Sequence, residues 1–125
     1  IALDDPHSAA YFHRAQSYRQ RSDIRSLIGD DESNAMAYRY NMNALQDLLR
    51  AVELDREVPD YHALLGYTYS RFLRHSDAIK ALDKAVELFD NGKKLRHAPA
   101  RYLRVDESRI REDRKRFNEL YRKDA

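Results

Sequence analysis

Five histidines, a short acidic run and a basic C-terminal stretch are the residues of this chain best suited to chemistry. His7, His13, His62, His75 and His97 are nowhere spaced as an HExxH motif or another helical pair that would aim two imidazoles at one zinc. Asp30-Asp31-Glu32 offers carboxylates to a hard cation. Consecutive acids lack the alternating ligand positions of a calcium loop, so the run reads as a solvated tip. There is no glycine-rich phosphate loop and no G-x-S-x-G nucleophile turn. Cysteine is absent, which removes disulfides and thiolate metal sites but identifies no compartment. The expectation is a protein that is not an enzyme, with no catalytic residue, no metal and no cofactor.

The basic stretch is the remaining candidate. Residues 93–125 carry 12 Lys/Arg against 6 Asp/Glu, while residues 1–92 carry 11 against 15. Tyr102, Phe117 and Tyr121 lie among those bases, a mixture that suits phosphate contacts and base stacking. Against this, Glu107–Arg111, Glu112–Arg116 and Glu119–Lys123 stand four apart, where helical ion pairs form. A self-neutralising helix is therefore expected, and nucleic acid or acidic-partner binding through it is the alternative function rather than the leading one.

Whatever binds must be positioned by a small helical body. The chain has 125 residues, 35% of them charged, with three glycines and three prolines. That is one domain's worth of chain, with too few turn residues for a sandwich or barrel. No apolar run approaches a membrane span and none reads as a signal peptide. The sequence opens on IALDDP without a methionine, as expected of a piece of a longer protein.

An internal repeat organises that body. AVELD at Ala51–Asp55 recurs as AVELF at Ala85–Phe89, an offset of 34 residues shared by Ala44 with Ala78 and by Leu48 with Leu82. A second offset, 51, links Leu3-Asp4 with Leu54-Asp55, Ala15 with Gly66 and Tyr18 with Tyr69. The two agree if 17 extra residues lie between Tyr18 and Ala44. Tyr61, Leu64, Leu65, Phe72 and Leu73 follow the spacing of one helical face, as do Ala78, Ile79, Leu82, Ala85, Val86 and Phe89. Pro59-Asp60 opens the first of these helices, RHSD with Ser76 as N-cap separates them, and Asn91-Gly92 closes the second.

A 34-residue helix–turn–helix unit with W-x2-L-G-x2-Y, then A-x3-F, then P, defines the tetratricopeptide repeat. This sequence resembles that family over HALLGYTY, with Leu65, Gly66 and Tyr69 in place and His62 at the aromatic position. Ala78, Leu82 (for Phe) and Ala85 follow, and Asp90 replaces the closing proline. SAAYFHRAQSY at Ser8–Tyr18 carries Tyr11, Ala15 and Tyr18 on the same positions, with Arg14 for Leu. LDDP at Leu3–Pro6 resembles a repeat ending.

The resemblance implies an all-α fold of antiparallel helix-hairpin repeats, a TPR-like α-solenoid. Residues 1–6 would end an upstream repeat, 7–57 form a first unit holding the insertion, 58–92 a second unit, and 93–125 a basic helical segment. Gly66 and Ala85 would be points of close helix approach. The simplest form of the insertion, within Arg19–Asn43, extends both helices of the first hairpin by about eight residues, or ~12 Å each. Leu27 and Ile28 would then face Ala35, Met36 and Tyr38 near a tip at Gly29–Asn34. From Ala100 to about Lys123, with Pro99 in its first turn, a long capping helix is expected with a thin stripe of Leu103, Ile110, Phe117, Leu120 and Tyr121.

In this family the first helices of successive units line a concave groove that receives a partner's peptide. By resemblance that face comprises Ala9, Phe12, Gln16 and Arg19, then Asp60, Ala63, Tyr67, Ser70 and Arg71. Phe12 and Tyr67 would anchor apolar groups, and Arg19 and Arg71 would meet carboxylates. The chaperone-tail clamp of the family has Lys and Asn where this chain has Phe12 and Gln16, so that specificity is not expected. The implied function is a protein-interaction adaptor or scaffold with a protein or peptide partner. Because repeat stacks need about three units, a cap, neighbouring sequence or self-association should accompany the two present. A third possibility by family analogy, suited by nine tyrosines, is an envelope scaffold in polysaccharide export. Compartment stays unassigned.

Overall fold

The computed structural model describes residues 6–97 and 105–122. Expectations placed on Leu3-Asp4, Pro99, Ala100, Tyr102, Leu103 and Lys123 lie outside the described residues. Five α-helices and no strand occur among the described residues: α1 (Pro6–Ile28), α2 (Asp31–Leu54), α3 (Pro59–Arg71), α4 (His75–Asp90) and α5 (Glu107–Tyr121). Contacts divide the chain into two compact units, one ending at Arg56 and the other beginning at Glu57. No helix among the described residues is long and apolar enough to cross a membrane.

The first unit is a long antiparallel hairpin. Its helices have 23 and 24 residues, against 13 and 16 in the second hairpin, so both of its arms are longer. The reversal takes two residues. Gly29 ends α1 at φ +80, a left-handed conformation that suits a residue without a side chain. Asp30 then caps α2 by accepting from the Ser33 amide at 2.7 Å. Small side chains line the arms near the tip: Ser22 donates to the Ala37 carbonyl at 3.1 Å, and Ser33 and Ala37 are buried. Leu27 and Ile28 project outward instead, 87% and 55% exposed. The expected apolar contact across the tip is replaced by these small residues, which let the helices approach closely. Lower down, Arg14 forks onto Asp47 at 2.7 and 2.8 Å, and Tyr18 stacks on Tyr40.

In the second unit Pro59 takes the first helical position of α3, where its missing N–H costs nothing. The α3–α4 reversal differs from the expected Ser76 cap. Leu73, at φ +58, occupies the left-handed position after α3, and the Arg74 amide reaches back to the Tyr69 carbonyl at 3.2 Å. The N-cap of α4 is therefore Arg74, which makes no side-chain cap bond, and Ser76 falls inside the first turn. Arg74 spans that turn to Asp77 at 2.8 Å. Helix α4 ends as expected at Asn91-Gly92, with Gly92 at φ +88 and the Lys93 amide bonded to the Leu88 carbonyl.

Gly66 lets α3 and α4 touch. A β-carbon there would meet Leu82 Cγ at 2.9 Å and the Ala78 carbonyl oxygen at 3.1 Å. Around that crossing lies a core of Ala63, Leu82, Ala85, Val86, Phe89 and Ile110, with Tyr67, Leu95, Val105 and Phe117 packed against it. Ile110 and Phe117 come from α5, so the third helix of this unit completes its core. Val105 and Asp106 precede α5 rather than belong to it, and Asp106 caps it by accepting from the Arg109 amide at 2.8 Å. Within the described residues the C-terminal helix is thus shorter than the expected span.

Candidate partner-binding face

Asp60, Ala63, Tyr67 and Arg71 recur at three- and four-residue intervals along α3 and share one face of it, with Ser70 at its edge. The chain's own C-terminal portion touches this face at Asp60 and at Tyr67. At its start both Asp60 oxygens accept backbone N–H groups, one from Arg96 and one from His97, each at 2.8 Å. The neighbouring Tyr61 ring stacks on the His97 ring, and its hydroxyl lies 3.2 Å from His97 Nε2. One turn on, Ala63 is buried in the cluster that holds Ile110.

Tyr67 forms the third point of attachment. Its hydroxyl donates to Asp113 Oδ2 at 2.5 Å, and its ring meets the edge of Phe117, centroids 6.5 Å apart. Asp113 is buried although it sits on the most charged helix of the chain. Arg109, one turn earlier, supplies the second donor to the carboxylate at 3.0 Å. That hydrogen bond, with the charge behind it, holds the Arg109 guanidinium above its ordinary range. At the far end Ser70 donates to the Tyr67 carbonyl at 2.6 Å, and Arg71 is partly exposed.

Of the first-unit residues, Phe12 and Arg19 are 4% and 3% exposed. Gln16 is partly exposed and pairs its side-chain carbonyl with His13 at 3.3 Å. A shallow pocket beside these, lined by His7, Ala10, Tyr11 and Arg14, contains none of the anticipated groove residues.

The basic stretch spends its arginines on nearby acids. Arg114 and Arg122 both reach Asp83 of α4, at 2.8 and 2.9 Å, and Arg111 bridges Asp90 and Glu107. Arg116 pairs with Glu112 at 3.3 Å. Burial pushes the Asp83 carboxyl up, but the hydrogen bonds and charges of the two arginines outweigh it and leave it below its ordinary value. Near its end α5 is also held by the Tyr121 ring, stacked on His75 with centroids 3.7 Å apart. Among the described residues, no three His, Asp or Glu side chains form a group able to hold a metal.

Comparison with family models, with curated proteins and with solved structures finds no match.

Asp113 is the site residue that sequence reasoning missed. A carboxylate beside Arg and Glu neighbours has the pattern of a solvated face, and the inward stripe was expected to continue through Leu120 and Tyr121. The observed stripe is Ile110, Asp113 and Phe117, spaced three and four apart. Leu120 is 57% exposed. The signal that could have found Asp113 was its place midway between two apolar residues seven apart.

Proposed function

We propose that this protein is a non-enzymatic adaptor that holds a segment of a protein partner along the first-helix face of a tetratricopeptide-like hairpin stack. In the second unit that face is Asp60, Ala63, Tyr67, Ser70 and Arg71; Phe12, Gln16 and Arg19 are the corresponding residues of the first unit's own first helix. The observation that carries this reading is the main-chain capture at Asp60, whose two oxygens take consecutive backbone N–H groups from the non-helical segment after α4. A carboxylate used in this way recognises backbone, which any extended peptide supplies, while the pockets beside it select side chains. The 34-residue spacing and the tight crossing at Gly66 support the repeat architecture.

The test is affinity capture with the intact chain and with two variants, Tyr67→Ala/Arg71→Ala and Asp60→Asn, each checked for helicity by circular dichroism. Loss of the same partner from both folded variants is the expected result. Retention by both would overturn the assignment of this face. Release by moderate salt irrespective of these changes would move the function to the basic helix.

A further inference from the structure

We infer that α5 is a built-in occupant of the α3 face that a partner displaces, and that the partner is an amphipathic helix with α5's own pattern. That pattern is an aliphatic residue, a carboxylate three positions on and an aromatic residue four positions beyond, as in Ile110, Asp113 and Phe117. The inference rests on the assignment of this face as a binding surface, and it specifies the ligand and how access is controlled.

Three observations lead here. First, the buried part of α5 is small: of its 15 residues only Ile110 and Asp113 are buried, and its other attachments, including the Tyr121 ring on His75, lie nearer the surface. Most of its other links to α4 run through Arg111, Arg114 and Arg122, whose side chains are 39%, 42% and 49% exposed. Pairs of that kind are weak and screened by salt. Second, the anchors are discriminating. Tyr67 donates to an enclosed carboxylate, and a ligand with an apolar group there would leave that hydroxyl without its acceptor. Third, Ile110 enters the buried cluster that includes Ala63, and Phe117 meets the Tyr67 ring, as separate knobs on one face of α5. A helix bearing the same three groups replaces the contacts that Ile110, Asp113 and Phe117 surrender. Its apparent affinity is reduced by the fraction of time α5 remains docked.

The experiment uses the full chain, whose lack of cysteine allows a single engineered cross-link. Asp83→Cys and Arg114→Cys are bridged by a reducible bis-thiosulfonate linker, tying α5 to α4. The probe is a fluorescent peptide with the sequence of residues 105–122, followed by anisotropy. Binding is expected to be absent in the linked chain and to return on reduction. In an Ile110→Asp/Phe117→Ser chain, where α5 cannot dock, it should be at least ~10-fold tighter. A peptide carrying Asp113→Leu should bind ~10-fold more weakly.

Equal binding to linked and reduced chains would overturn the inference, since the peptide would then sit elsewhere. Binding to the Ile110→Asp/Phe117→Ser chain alone would overturn displacement while leaving the face a receptor. No binding to any form would overturn both. Undiminished binding of the Asp113→Leu peptide would overturn the carboxylate requirement. Should the double variant lose its helical signal, comparison of the linked and reduced chains decides.

Discussion

Gly66 and Leu82 meet where α3 and α4 pass close together: a methyl group on Gly66 would stand 2.9 Å from Leu82 Cγ and 3.0 Å from its Cδ2. Gly66→Ala gains about 1 kcal/mol of helix propensity and loses about 1–3 kcal/mol to overpacking. A modest net destabilisation is expected, with a larger one for Gly66→Leu. Combining Gly66→Ala with Leu82→Ala should cost less than the sum of the two, because the second change empties the space the first needs. Urea denaturation of the four chains checks this. An unchanged midpoint for Gly66→Leu would remove close approach as the reason for the glycine.

Tyr67→Phe removes one of the two donors to the buried Asp113 carboxylate and changes no other atom. The expected loss is about 1–3 kcal/mol, the range for a buried polar group left short of a partner. Arg109→Ala should cost less, since that side chain is 59% exposed and water can replace it. Denaturation midpoints for the two variants supply the comparison, and the reverse ranking would show that the arginine carries the site.

Acid should loosen the protein through two identified carboxylates. Asp30 is held below its ordinary value of 3.8 by hydrogen bonds from Ser33. Asp83 is held below 3.8 as well, its burial outweighed by Arg114 and Arg122. A depressed carboxylate binds fewer protons folded than unfolded, so its contribution is complete above the unfolded value. The contribution fades as pH falls through 3.8 toward the folded value. Thermal melts between pH 6 and about 3 should show a declining midpoint, and Asp30→Asn/Asp83→Asn should flatten the decline. A decline of unchanged steepness in that variant would assign it to other groups.

Leu73 occupies a left-handed conformation while its side chain is 75% exposed. The conformation costs about 1–2 kcal/mol for a residue with a β-carbon. Glycine there would recover that and lose about 0.5–1 kcal/mol to chain entropy. Leu73→Gly should therefore leave the protein equally or slightly more stable by calorimetry. A clear destabilisation would mean that the exposed leucine makes a contact worth more than the strain.

Local periodicity revealed the helices and the crowded crossing at Gly66, because helical spacing and a missing side chain are properties of short stretches. Less visible was whatever depended on a residue far along the chain. Asp113 is inward because of a phenol 46 positions earlier, and Asp60 is buried by amides 36 and 37 positions later. Neither partner alters the pattern around the acid itself. The Arg74 cap was missed for a different reason. A leucine took the left-handed position that glycine normally signals, and this moved the cap of α4 two residues earlier, from Ser76 to Arg74.

The attachment of α5 also orders events in time. Each hairpin closes through a short reversal, whereas α5 meets its seat through pairs such as Asp83–Arg122, 39 residues apart, and Tyr67–Asp113. Short loops close first and distant ones later. A chain made from its N-terminus at ~5–20 residues per second therefore completes α3 and α4 a second or more before α5 exists. During that interval Ala63 and the Tyr67 ring are bare, and a nascent chain presents to its surroundings the surface that the finished protein covers.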